Sequence, residues 1–176
     1  MSSKSDLLGT IAVHADSLRL ASVLRVLSRN GDLLEGLRSS AGEEFMRNPA
    51  ASRSLQILGD QVLCIHTADQ IYRTIIRSAV SEGFELARAY CRETGQVPQL
   101  KKQLWFHVIR MIRNALNHNF KFEFRPEDKA MLPLTWGAVS IDESMNGQAL
   151  SLQMFSVDSA LEWLGVLEEF VENELL

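Results

Sequence analysis

Cysteine is scarce in this chain: Cys64 and Cys91 are the only two in 176 residues. Two thiols make no cysteine metal motif, and both stand in stretches that read as helical, where buried, reduced side chains are the better reading. Long apolar runs are missing too. No continuous run approaches the roughly 20 residues that a membrane-spanning helix needs. The polar start, residues 1–6, is not followed by the basic-then-apolar pattern of a secretory signal. No internal repeat, low-complexity tract or linker divides the sequence, so residues 1–176 read as one domain, long enough to bury a substantial core. These absences together lead us to expect a cytoplasmic protein with no membrane partner and no cofactor.

What is present is an ordinary globular composition, 46% apolar and 23% charged, with a net charge of -4. That balance argues against a general nucleic-acid coat, but the charge is unevenly spread. Residues 96–125 hold Lys101, Lys102, Arg110, Arg113, Lys121 and Arg125 against a single acid, Glu123. From Ser156 to the end there are six acids and no basic residue. One segment could therefore hold a polyanion on an acidic protein, and two solvated helix faces of opposite sign would give the same count.

The pattern along the chain is mainly helical. A first helix is expected over about 5–30, with Gly31 as its stop. Residues 32–51, with Gly36, Gly42 and Pro49, read as a short helix and loops. A long helix is expected over 52–93, carrying Leu58, Val62, Ile65, Tyr72, Ile76, Ala79 and Val80 at helical spacing. Pro98 suits the first turn of the next helix, which we expect to run from about 99 to 118. Period-two alternation in Phe120, Phe122 and Phe124 reads as a strand. Residues 134–141 and 149–155 read as two more, separated by the turn Met145-Asn146-Gly147. Ser156 caps a terminal helix built on Val157, Leu161, Leu164, Leu167 and Val171. The expected fold class is thus mainly α, an antiparallel helical bundle with a small antiparallel β insert, about 120–155, before the last helix.

The helix over 99–118 carries the chemistry. At about 100° per residue, Met111, Leu104, Ala115, Val108, Ile112, Trp105, Leu116 and Ile109 fill one apolar arc. Arg113, Asn117, Arg110, Asn114, His107 and His118 lie opposite, with Phe106 the one apolar intruder. None of the polar residues on this helix is an acid. Arginine presents a fixed fork of donors that fits phosphate oxygens. Histidine gives and takes protons near neutrality. Two amides can position a sugar or a base. Such a set suits transesterification of an RNA phosphodiester without a metal, with His118 moving protons and Arg113 stabilising charge on the transition state. A solvated surface face would have the same composition. A metal site is disfavoured, because His107 and His118 are eleven residues, about 16 Å, apart along the helix with no carboxylate between them.

The string Arg113-Asn114-Ala115-Leu116-Asn117-His118, near the end of an amphipathic helix, resembles the signature of the HEPN superfamily (higher eukaryotes and prokaryotes nucleotide-binding). That signature is an Arg, usually followed by a polar residue, and a His after four to six further positions. The resemblance covers about residue 52 to the C-terminus. It implies a metal-independent endoribonuclease, often a toxin or an effector of antiviral or plasmid defence, whose Arg and His gather at a homodimer interface. Carried over, Arg113 and His118 are catalytic and Asn114 their polar helper. Arg110, Asn117, His107, Lys101 and Lys102 stand around them as substrate-binding residues. The partners implied are RNA or a nucleotide, a second copy of the chain, and an antitoxin or defence protein. Some HEPN toxins carry His-x-Tyr, the tyrosine being modified by the antitoxin. Here Phe120 stands in that place and has no hydroxyl to modify.

Other residues admit plainer readings. Asp69 falls in the apolar arc of the long helix and needs a partner. A local pair with Arg73 is preferred to support of the motif arginine from another helix. Glu82 is a weaker candidate for the same support. His14 and His66, at helix borders, read as structural, and Trp136, Trp163 and the phenylalanine ladder as packing. Three functions stay open: a dimeric ribonuclease, a catalytically silent HEPN module that binds RNA or nucleotide, and a helical module that docks an acidic protein.

Overall fold

The computed structural model describes residues 3–31 and 49–176. Most of the stretch expected to be a short helix and loops, 32–48, therefore lies outside the described residues. Seven α-helices are described, in the order α1 (Lys4–Asn30), α2 (Pro49–Gly59), α3 (Gln61–Glu93), α4 (Val97–Lys102), α5 (Phe106–Asn117), α6 (Pro126–Lys129) and α7 (Val157–Glu174). Strands β1 (Leu134–Trp136) and β2 (Val139–Ile141) precede α7. The chain is mainly helical with a small antiparallel sheet, as its patterning implies. By its packing the chain divides into two compact units, one of Met1–Asp16 with Ile76–Leu176 and one of Ser17–Ile75.

In the smaller unit, Leu18, Ala21 and Ser28 of α1 and Cys64, Ala68 and Tyr72 of α3 are buried. Asp69 is bound here, to Arg25 at 2.6 Å and Arg29 at 3.4 Å, both from α1. The preferred local pairing of Asp69 with Arg73 overlooked this cross-helix tie, which joins positions 44 and 40 residues apart. Burial pushes the Asp69 carboxyl up, but the Arg25 hydrogen bond and the charges of Arg25 and Arg29 outweigh it, so its pKa lies below the usual value. Gln61 donates to the carbonyls of Ser28 and Arg29 at the end of α1, where Gly31 (φ +80°) stops the helix as expected. The helix expected to be continuous over 52–93 is interrupted at Asp60, whose side chain accepts from the Leu63 amide and starts α3.

The larger unit holds the main core. Trp105, Trp163 and Phe170 meet edge to face, with Trp105 centroids 6.2 Å and 5.9 Å from the other two. Gly83 of α3 leaves room for Trp163, since a Cβ there would stand 3.1 Å from the indole. Phe84 packs on Phe106 at 5.4 Å. The Ser156 hydroxyl accepts from the Ser159 amide and caps α7, as expected.

The single helix expected over 99–118 is two. α4 ends at Lys102 and α5 begins at Phe106, so Leu104 lies in the turn between them and is 88% exposed instead of filling the apolar arc. Phe106, the intruder on the polar face, is buried at the start of α5. The β insert is smaller than expected. Residues 134–141 form a hairpin, not one strand, with Thr135 opposite Ser140 and the turn at Gly137 (φ +55°). Residues 120–124 and 147–150 pair only through scattered backbone bonds around a Lys121–Ala149 bridge. The reason is local: Asn119 and Phe120 both adopt left-handed backbone, φ 55° and 58°, which bends the chain out of the extended form that period two implies. Residues 151–155 turn instead of extending.

α1 meets the length and hydropathy expected of a membrane-crossing helix, with a mean hydropathy of 1.3 over its most apolar window, although no unbroken apolar run signals it in the sequence. Leu7, Ile11, Leu18 and Ala21 of α1 are buried, Val13, Leu20, Val23 and Val26 are exposed, and 22% of that window is buried inside the protein.

Candidate functional site

α5 presents its apolar arc inward: Val108, Ile109, Met111, Ile112, Ala115 and Leu116 are all buried. Its opposite face forms one wall of a cleft of about 480 Å³ within the larger unit. Of the eight residues proposed from sequence, six line it: Lys101, His107, Arg110, Arg113, Asn114 and His118. Lys102 and Asn117 are not among its lining residues. Asn117 instead accepts a hydrogen bond from Ser81 of α3 at 3.2 Å.

Arg113 is held on two sides. Its Nη2 stands 2.7 Å from Glu85 Oε1 on α3, and its Nη1 donates to Asn114 Oδ1 at 2.9 Å. The support from another helix is thus Glu85, neither Asp69 nor Glu82. Glu82 pairs with His14 at 3.4 Å. Nothing in the sequence around Glu85 marks it out, because the pairing depends on how α3 packs beside α5.

His118 sits just past the end of α5, where its amide closes the last turn on the carbonyls of Asn114 and Ala115. The left-handed pair Asn119-Phe120 then turns the chain back, and Glu123 comes within 3.5 Å of His118 Nδ1. The His118 side chain is 54% exposed, open to a ligand. With Glu123 on Nδ1, the other ring nitrogen, Nε2, remains available as a hydrogen-bond donor or acceptor. Glu123 was visible in the sequence as the one acid in a basic segment.

Arg110 has a different environment. Its Nη2 meets Asp128 Oδ1 at 2.5 Å, and Asp128, only 2% exposed, accepts the Arg125 amide on its other oxygen at 3.1 Å. Asp128 is the third residue of α6, and Arg125-Pro126-Glu127-Asp128 is a helix-start pattern that could have located it. The pair fixes the segment bearing Arg125 against α5, and Arg125 joins the cleft lining. Arg88, on α3 one turn beyond Glu85, joins it as well.

Five Lys or Arg side chains and two carboxylates line the cleft, so a protein of net charge -4 carries a cationic groove. His107 is kept easier to deprotonate than usual, first by burial and then by the charges of Arg110 and Lys101. Its Nδ1, with the Nε of Arg110 and of Arg113, is a buried nitrogen with no hydrogen-bond partner. Among the described residues no group of three or more His, Cys, Asp or Glu could hold a metal ion. The arrangement can bind an anion, offer a guanidinium to developing negative charge, and move a proton at His118. No family model, curated protein or solved structure matches the chain.

Proposed function

We propose that the chain is a metal-independent endoribonuclease of HEPN type, acting as a homodimer in a toxin or defence role. The observation that carries this reading is the presence of Arg113, Asn114 and His118 in one cationic cleft, with His118 exposed. In the reaction, the RNA 2′-oxygen attacks the adjacent phosphorus and gives its proton to an imidazole. The bond from phosphorus to the 5′-oxygen breaks, and that oxygen takes a proton as it leaves. The products are a 2′,3′-cyclic phosphate and a 5′-hydroxyl. Arg113, oriented by Glu85 and Asn114, stabilises the charge that grows on the phosphoryl oxygens. His118, with Glu123 against Nδ1, is the proton-transfer group. In a homodimer the second copy's imidazole supplies the other half of the acid–base pair.

Cleavage of RNA by the full chain in the presence of chelator tests the proposal. His118→Ala and Arg113→Ala should each lower the rate on the order of a hundredfold or more. Both variants should keep the wild-type far-UV circular dichroism, since neither side chain belongs to the apolar arc. Equal cleavage of a 2′-deoxy substrate would reject the mechanism, because the nucleophile would then be absent.

A second reading, a silent module that binds RNA through the same cleft, is favoured by one feature: both motif side chains already face carboxylates, Glu85 and Glu123. RNA binding without cleavage by wild-type protein would select it.

A further inference from the structure

The cleft extends well beyond the Arg113–His118 motif. His107 lies six residues before Arg113 on α5, about 9 Å along the axis, and eleven before His118, about 16 Å. Around His107 positive charge exceeds what the chain offsets. Lys101 has no ion-pair partner among the described residues. Arg88 lies 3.6 Å from Glu85, which also serves Arg113, so one carboxylate faces two guanidinium groups. Arg110 is already paired with Asp128 and contributes little net charge. The first turn of α5 carries no acid. His107 Nδ1 is buried without a hydrogen-bond partner.

We propose that Lys101 and His107 form a second phosphate-binding subsite at the end of the cleft away from His118, linked to the motif by Arg88, which shares Glu85 with Arg113, so that the site takes an oligonucleotide with several phosphates and not a mononucleotide. This rests on the ribonuclease reading for the nature of the ligand, and adds to it a minimum length. One phosphate sits at Arg113 and His118. A phosphate further along the same strand reaches the Lys101 end, where Lys101 offsets its charge, while Arg88, beside Glu85 and Arg113, offsets the charge of the strand on the way. The depressed proton affinity of His107, caused by burial and by Arg110 and Lys101, fits the same excess of cation, and an anion seated there would reverse it.

The experiment uses full-length protein carrying His118→Ala, which binds without cutting. Its probes are a uridine dinucleoside monophosphate and a uridine tetranucleotide with three phosphodiesters. The tetranucleotide should bind on the order of tenfold more tightly at low salt. In the Arg88→Gln, Lys101→Gln double variant the ratio of the two affinities should fall to near one. By proton NMR, the tetranucleotide should raise the pKa of His107 and the dinucleoside monophosphate should not. Equal affinity for both probes in the parent, or a length preference that survives the double variant, overturns the subsite. Cleavage by protein with His118 intact separates the two claims. If that protein cuts RNA and its length preference survives the double variant, the subsite falls alone. If the preference depends on Arg88 and Lys101 but nothing is cut, the subsite stands and catalysis falls.

Discussion

Arg110 and Arg113 sit one turn apart on the same helix and carry the same charge, yet the structure uses them differently. Arg113 keeps a guanidinium edge in the cleft beside Asn114, whereas Arg110 is committed to a carboxylate that is almost fully buried. Both read alike in the sequence because neither partner is local: Glu85 lies on another helix and Asp128 eighteen residues away. A buried Asp128 without its guanidinium, or the reverse, leaves polar atoms unsatisfied. Asp128→Ala should therefore cost about 1.5–3 kcal/mol in urea unfolding, the range for a hydrogen bond to a charged group. It should also loosen the segment that carries Arg125 and weaken RNA binding. A variant as stable as wild type would mean that the pair contributes nothing net. The companion substitution Asp128→Asn keeps an acceptor for the Arg125 amide and should lose less stability.

At the scale of elements, the Gly31 stop bounded α1, and hydrophobic period located the core face of α5 and α7 with its Ser156 cap, because burial of one helix face leaves a repeating mark. It missed the break between α4 and α5. Leu104 and Trp105 fit the apolar arc equally well, but Trp105 packs on Trp163 and Phe170 while Leu104 faces solvent, a choice made by tertiary packing. The phenylalanine alternation was real, since Phe120 and Phe122 are buried, but the left-handed residues 119 and 120 prevent a regular strand. Helix contacts give two tests. Gly83→Val should destabilise by about 1–3 kcal/mol through overpacking against Trp163, while Gly9→Ala on α1, with open space around it, should stabilise by up to about 1 kcal/mol. Thermal melts of both variants check this, and a Gly83→Val protein that melts like wild type would mean that α3 and α7 are free to separate. The tie between α1 and α3 in the smaller unit has a pH signature. Asp69 has a folded pKa below its unfolded value, so the unfolded state binds more protons as pH falls past about 4. Its contribution to stability is full above the unfolded pKa and is lost as pH drops through the folded one. Asp69→Asn should accordingly flatten the acid limb of stability against pH, as measured by denaturant midpoints between about pH 5 and pH 2.

For the whole molecule, a net charge of -4 with five Lys or Arg side chains gathered in one cleft favours a polyanion at that cleft, so RNA binding should weaken with salt and lose about one unit of slope for each phosphate contact removed. Net charge and the basic segment were legible from sequence. The pairing of Arg113 with Glu85 was not, because Glu85 meets it only through the packing of α3 beside α5. The last expectation concerns the proposed homodimer. One exposed imidazole at each motif, with Arg113 beside it, gives a single proton-transfer group where the reaction needs a proton removed and another delivered. A two-fold pairing of motif faces brings a second His118 and a second Arg113 to the same phosphate, since an isologous contact repeats each residue across the axis. Arg113→Ala and His118→Ala proteins, each inactive alone, should then recover part of the wild-type rate when unfolded together and refolded as a mixture. The mixed dimers retain one intact arginine and one intact histidine at the shared site. Recovery should rise with total protein concentration as dimers form. A mixture that stays inactive, with sedimentation showing monomers at micromolar concentration, would reject a site shared across a two-fold axis.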